Sequence, residues 1–379
     1  MKILHICAGW QKWNGAANIA RMIMDEQRRE GYEVSFATWA KVRELRAADE
    51  VWIHCGWLPC LWWAAIWGRN VHWMPEACYD PVRLKFHGWK KLLVGPVERW
   101  CLRRCDRIVA TCEAEKEWIE SYLGRRCPPI ELTDIKRFFK LHGEVSTQSR
   151  RVAEYAESDV RLPSADGGLG QRPRDNSASS RLCVNNKNQD EPLHLLYLGR
   201  RHPLKGVEYL ETAVKQIQES SAYSPLLGHP LRGQASPGGY ASLRLCVKII
   251  SSAFGEELEK VWDWCDVLVL PTLSDNFGLV IAEALERGKC VITTDGAPAW
   301  GENLSRVERV EGLTQRRRDA ECAEMFSRVE HVERVEGGLW SGYEGRLIYL
   351  KGYRDGSNEQ RVELLKNAIE MLKHEGNMV

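Results

Sequence analysis

The chain has 379 residues, with 53 Lys and Arg against 52 Asp and Glu, and 44% of it is hydrophobic. That length suits two domains of roughly 100–200 residues each. The near-neutral charge argues against a protein that coats nucleic acid through charge alone, and the hydrophobic fraction excludes global disorder. Thirteen Cys are too few for a disulfide scaffold and form no C-x-x-C or zinc-spaced Cys/His quartet, so free thiols in a reducing cytosol are expected. Residues 1–9 are too brief an apolar run for a signal peptide. Residues 51–68, broken by His54 and Pro59, fall short of a good membrane span. The expected location is cytoplasmic.

The first third alternates strand and helix. Residues 2–8 (KILHICA) form a short apolar run that predicts a strand buried on both faces. Residues 14–31 carry Ile19, Met22, Ile23 and Gln27 at helical spacing and stop at Gly31. Strands are predicted at 33–38, 50–54, 71–74 and 107–111, and helices at 61–66, 92–104 and 113–123. This βα order predicts a parallel sheet wrapped by helices.

The pattern breaks after about residue 143. Residues 146–189 and 220–241 are rich in Ser, Gly, Pro and charge, and they end in near-identical words, 180–184 SRLCV and 243–247 LRLCV. A third stretch, 305–337, repeats SRVERVEG as SRVEHVERVEG. These are not the contiguous units of a solenoid. They read as low-complexity surface insertions, since loops tolerate added length cheaply; extra helices are the alternative for the third. Between them come strands at 193–198, 243–250, 266–270 and 290–294 and helices at 207–218, 256–264 and 279–287, with a last helix at 359–373. The expected organisation is an N-terminal Rossmann-like domain over 1–143, an inserted segment 144–191, a second domain over 192–358 and a C-terminal helical segment 359–379. A cleft between two such halves is a usual place for a ligand.

No G-x-G-x-x-G, P-loop, H-E-x-x-H or G-x-S-x-G is present, so dehydrogenase, kinase, zinc-protease and α/β-hydrolase readings lack an anchor. Polar residues gather instead at the C-terminal ends of two strands. LHLLYL runs into Gly199-Arg-Arg-His-Pro-Leu-Lys-Gly206, which puts Arg200 and Lys205 beside a helix start. Fixed cations and unpaired backbone N–H groups suit a diphosphate; a solvated basic loop is the plainer alternative. DVLVL runs into Pro271-Thr-Leu-Ser-Asp-Asn-Phe-Gly278 and the helix LVIAEALERG. Free N–H groups near Asn276–Leu279 favour another anion. Glu283, among apolar neighbours, needs a partner and can accept hydrogen bonds from a vicinal diol such as a ribose.

Taken together, LGRRHPLKGVEYL and VLVLPTLSDNFGLVIAEALERGKCVITTDGAP resemble the C-terminal half of family 4 glycosyltransferases, which have the GT-B fold. The family's E-x7-E motif stands here as Asp275-x7-Glu283, and GR-x4-KG spans Arg200 and Lys205. The N-terminal half is similar to the lipopolysaccharide-core branch through DEVWIH and through KKLL, ER and RRCDRIVATCEAEKEW within 75–117. The resemblance covers roughly 1–140, 192–219 and 243–301. It implies two Rossmann-like domains facing a cleft and a retaining transfer from a nucleotide sugar to a glycan or glycolipid acceptor, with no metal and no cofactor. It implies catalytic roles for Asp275, Lys205 and Arg200. Donor binding would fall to Gly15, Arg200, Lys205, Asn276, Phe277, Gly278, Leu279 and Glu283. His54 and Glu76 would face the acceptor, although Glu76 stands where many members place His. A non-catalytic nucleotide- or glycan-binding relative with a blocked cleft, and a sugar-nucleotide epimerase of the same architecture, are the rival readings.

Residues 83–107 carry eight Lys and Arg against two carboxylates, interleaved with apolar side chains. They suit either an anionic inner-membrane surface or phosphorylated acceptor, or simply solvent. No nucleic-acid partner is expected.

Overall fold

The computed structural model describes residues 1–7, 15–55, 59–86, 88–139, 192–222, 244–302, 333–335, 339–342 and 346–375. The inserted segment 144–191 and most of 220–241 and 305–337 lie outside these residues.

The first lobe is a six-stranded sheet in the order β2-β1-β3-β4-β5-β6, parallel throughout. Its strands are β1 (Lys2–Cys7), β2 (Glu33–Ala37), β3 (Glu50–His54), β4 (Val71–Met74), β5 (Arg107–Ala110) and β6 (Ile130–Leu132). Its helices are α1 (Gly15–Arg29), α2 (Val42–Ala47), α3 (Pro59–Trp67), α4 (Pro81–Phe86), α5 (Gly88–Leu102) and α6 (Glu113–Leu123). The predicted strands all form; β1, β3, β4 and β5 are central and read as short apolar runs, whereas β2 is a largely exposed edge. Ile6, Val51, Ile53, Trp73 and Ile108 fill one core with Ile119 of α6. Three elements were not predicted. α2 buries only Leu45, α4 buries no residue, and β6 is a largely exposed edge.

The second lobe is a seven-stranded sheet in the order β11-β12-β13-β10-β9-β7-β8. Its strands are β7 (Leu193–Leu198), β8 (Leu245–Ile250), β9 (Val267–Leu270), β10 (Cys290–Thr294), β11 (Glu333–Val335), β12 (Leu339–Gly342) and β13 (Leu347–Leu350). Its helices are α7 (Val207–Ala222), α8 (Gly255–Trp264), α9 (Leu279–Glu286) and α10 (Asn358–Glu375). The last of them packs on α7. The strands from β7 to β10 and β13 are parallel, whereas β11 and β12 add an antiparallel edge. Within the 305–337 stretch, Glu333–Val335 pairs antiparallel with β12 at the edge of the sheet.

The lobes meet at the loops that follow the C-terminal ends of the parallel strands. Asp80 pairs with Arg354, the Glu113 N–H donates to Glu302, and Phe139 stacks on Phe277 with ring centroids 6.0 Å apart. This is where ligands bind in doubly wound sheets.

Candidate active site

The two sequence motifs of the second lobe are joined by direct bonds. β7 ends in a loop whose 3-10 turn, Pro203–Lys205, is capped by His202 Nδ1 accepting from the Leu204 N–H at 3.2 Å. The Leu204 carbonyl then accepts from the Leu273 N–H at 2.8 Å and from Thr272 Oγ1 at 3.1 Å, which ties the loop to the exit of β9. Gly206 closes that approach. Its φ is +63°, and a Cβ there would lie 2.1 Å from the Pro271 carbonyl oxygen, so only glycine fits.

This locking sets the Lys205 ammonium on the Asp275 carboxylate in a part-buried ion pair. Asp275 Oδ1 accepts from the Asn276 N–H at 2.9 Å, and the Asp275 N–H donates to the Gly296 carbonyl at 2.7 Å. Burial alone would raise the Asp275 carboxyl. The Lys205 charge and hydrogen bond, Arg83 and the Asn276 amide outweigh it and hold the group below its ordinary range. Phe277 is buried, and its carbonyl accepts from Trp300 Nε1. Gly278, at φ +64°, caps α9 with no side-chain acceptor for the helix's first N–H groups. A Cβ on Gly15, at the start of α1, would sit 3.9 Å from Leu279 Cδ1. The first turn of α1 and the first turn of α9 therefore face each other across the lobes.

Two further predicted donor residues belong to the same two units, Arg200 in the loop after β7 and Glu283 on α9. Arg200 is exposed, and its carbonyl accepts from the Tyr197 hydroxyl at 2.9 Å; its charge is close enough to be felt at Lys205. Glu283 is half-buried beside Ile281, Ala282, Ala284 and Leu285. Burial, reinforced by Glu286 and Glu259 and opposed by Arg287, lifts its carboxyl to about 7.

On the first lobe, His54 and Glu76 are both buried, with His54 Nδ1 3.5 Å from Glu76 Oε1. Behind them runs a chain of polar side chains. His54 Nε2 lies 2.9 Å from His5 Nδ1, and His5 Nε2 lies 2.7 Å from Gln27 Oε1. With Gln27 accepting, His5 Nε2 carries the proton, His5 Nδ1 accepts from His54 Nε2, and His54 Nδ1 presents a lone pair to Glu76. Only a protonated Glu76 can then donate to it. Burial, with the Glu115 charge adding to it, pushes the Glu76 carboxyl well up, while burial pulls His54 down to about 3. Glu76 and Ala77 both have positive φ, +56° and +58°, as does Cys55 at +69°. The tips of β3 and β4 are therefore strained backbone.

Sequence reasoning missed the residue that ties these parts together. Glu115, 1% exposed in the first turn of α6, accepts from the Ala77 N–H at 2.7 Å and from the Thr111 N–H and hydroxyl, both at 2.8 Å. It also accepts from Asn276 Nδ2 of the other lobe at 3.1 Å. Nothing in EAEKEWIE separates this carboxylate from its solvated neighbours. Arg83, grouped in the sequence with a basic surface, acts electrostatically on Asp275, Lys205 and Glu76, so it serves the interlobe region. Among the described residues no group of three His, Cys, Asp or Glu side chains could hold a metal ion.

Residues 192–327 match the family model of glycosyl transferases group 1. That span includes both loops of the Lys205–Asp275 pair. No curated protein sequence matches the chain significantly. Among solved structures, WaaG, a glycosyltransferase involved in lipopolysaccharide biosynthesis, aligns at 11% identity over 99% of this chain and 94% of its own, with a TM-score of 0.50. The sucrose-phosphate synthase from Thermosynechococcus elongatus aligns at 15% identity over 78% of this chain and 82% of its own, with a TM-score of 0.47. HepE from Anabaena in complex with UDP-glucose aligns at 13% identity over 99% and 95%, with a TM-score of 0.45. The fold is GT-B: two Rossmann-like domains, each a parallel sheet flanked by helices, with the group 1 match in the second.

Proposed function

We propose that the chain is a glycosyltransferase that moves a sugar from a nucleotide-sugar donor to a cell-surface glycan precursor, of lipopolysaccharide or polysaccharide type, with retention of configuration. The observation that carries this reading is the Lys205–Asp275 pair, formed by the loops that leave the neighbouring strands β7 and β9, at the mouth of α9 and opposite Gly15. The group 1 match spans the same two loops. HepE was solved with UDP-glucose, a ligand of the proposed class.

In this reading Lys205 and Arg200 neutralise the donor diphosphate. Backbone groups of Asn276, Phe277, Gly278 and Leu279 receive phosphate and sugar, and Gly15 lets the first lobe's backbone approach. Asp275, kept ionised by its partners, accepts hydrogen bonds from hydroxyls of the transferred sugar. Glu283 takes the ribose diol. As the bond from sugar to diphosphate breaks, negative charge grows on the leaving phosphate, and cations already aimed there lower the barrier. His54 and Glu76 line the acceptor side. No resident metal or cofactor is part of the scheme.

The basic stretch 83–107 would meet an anionic membrane surface from the cytoplasmic side. On α5 the side chains of Leu93, Val97 and Trp100 are 74%, 50% and 49% exposed and fall at helical spacing on one face. No described helix is long and apolar enough to cross a membrane.

Hydrolysis of candidate nucleotide sugars by wild type and Lys205→Ala tests the donor site. Loss of turnover in the variant is expected, and equal rates would remove the assignment. Binding of a nucleoside diphosphate without transfer to any acceptor would favour a non-catalytic relative, and free epimerised sugar an epimerase.

A further inference from the structure

We infer that Cys55 and Cys78 form an oxidisable dithiol on the acceptor face of the first lobe, closed to a disulfide by hydroperoxides and reopened by thiol reductants. Their Sγ atoms are 3.7 Å apart, which is van der Waals contact. A disulfide needs about 2.05 Å, so each sulfur has to travel under about 1 Å. The two are not joined by a disulfide, and they differ in access: Cys78 is buried and Cys55 is partly exposed.

The backbone places the pair where a crosslink has consequences. Cys55 directly follows His54 at the tip of β3, and Cys78 lies two residues after Glu76 beyond the tip of β4. The tips are coupled already, since the Cys55 N–H donates to the Met74 carbonyl at 2.9 Å and Trp73 Nε1 donates to the Cys55 carbonyl at 3.0 Å. Three non-glycine residues there, Cys55, Glu76 and Ala77, hold positive φ. Such backbone holds strain, as functional sites commonly do. Drawing Cys78 toward Cys55 pulls on Ala77, whose N–H is bound to Glu115, and Glu115 reaches Asn276 of the other lobe. The bond would therefore register at the His54–Glu76 contact and at the lobe junction.

The partly exposed Cys55, as thiolate, attacks the distal oxygen of a hydroperoxide. The O–O bond breaks, the alkoxide or hydroxide leaves and takes up the Cys55 proton, and Cys55 becomes a sulfenic acid. The Cys78 sulfur then attacks Cys55 Sγ. The S–S bond forms, hydroxide departs and takes the Cys78 proton as water. Two thiols and one hydroperoxide give one disulfide, one alcohol (water when the oxidant is hydrogen peroxide) and one water. Two electrons pass from sulfur to peroxide oxygen.

The test uses the full chain and needs no substrate. Native protein is treated with hydrogen peroxide, alkylated and mapped without reduction. The expected result is a Cys55–Cys78 linked peptide, a loss of two free thiols per chain, and full reversal by dithiothreitol. Cys78→Ser should abolish the linked peptide and leave Cys55 trapped as a dimedone adduct, while Cys101→Ser should change neither. In wild type the His54 ring resonances should shift on oxidation and return on reduction; in Cys78→Ser they should not move. Absence of the 55–78 link in native protein, or its appearance only after unfolding in urea, overturns the inference. Neither outcome bears on donor binding, so failure here is distinct from failure of the transferase reading.

Discussion

Replacing Glu283 by Gln should stabilise the protein in alkaline solution and weaken its nucleotide site at the same time. The carboxyl is lifted from an ordinary 4.5 to about 7, first by burial and then by Glu286 and Glu259, against the pull of Arg287. The folded chain thus keeps a proton that the unfolded chain releases above its ordinary value. For a raised acid, stability is lost as pH climbs through the window between those two values and stays lost above it. At about 1.36 kcal/mol per pH unit the gap is worth ~3 kcal/mol, and solvent screening of a half-buried group trims it to ~2–3 kcal/mol. Gln cannot ionise and escapes that cost. Urea unfolding should therefore place Glu283→Gln above wild type by ~2–3 kcal/mol near pH 8 and within ~1 kcal/mol near pH 5. The same variant should give a smaller thermal shift with a nucleoside diphosphate, because a ribose diol finds a neutral amide where it would meet a carboxylate. A stability difference that does not change with pH, or a variant weaker than wild type near pH 8, would refute the reasoning.

Other outcomes follow from the same geometry. Gly206→Ala puts a Cβ 2.1 Å from the Pro271 carbonyl oxygen; overpacking and a left-handed backbone should together cost about 2–4 kcal/mol in urea unfolding. Glu115→Ala strands the donors of Ala77, Thr111 and Asn276. It should cost about 3–5 kcal/mol by the same measurement, with Glu115→Gln milder. Glu76→Gln, replacing an acid whose ionisation burial disfavours, should fold with unchanged or higher stability at neutral pH. Glu76→Lys should not, and chemical denaturation of the two variants decides the point.

The sequence carried the architecture well where physics is local. Strands such as Val267–Leu270 and Cys290–Thr294 are buried along their whole length, and continuous apolar runs bounded by turns announce such strands. The GR-x4-KG and D-x7-E spacings likewise foretold two loops at strand ends, and the structure brings Lys205 and Asp275 of those loops together. What stayed hidden depends on tertiary contact. α4 buries nothing and has no periodic face to read, yet it carries Arg83 to the lobe junction. Glu115 sits among other charges on α6, and besides nearby Thr111 its partners lie 38 and 161 residues away. His5 interrupts an apolar strand, but its pairing with His54 exists only because β1 and β3 are neighbours in register. The charges that act on Glu283, from Arg287, Glu286 and Glu259, likewise come partly from another helix, since Glu259 lies on α8.

Calorimetric titration of UDP, GDP, ADP and CMP into wild type and Lys205→Ala tests the donor site most directly. The account predicts that a nucleoside diphosphate binds wild type and that the Lys205→Ala variant, still folded, loses at least tenfold in affinity, as removal of ~1.5 kcal/mol or more of charge-assisted contact requires. Equal affinity in the two proteins, or binding of none of the four nucleotides to wild type, would contradict it.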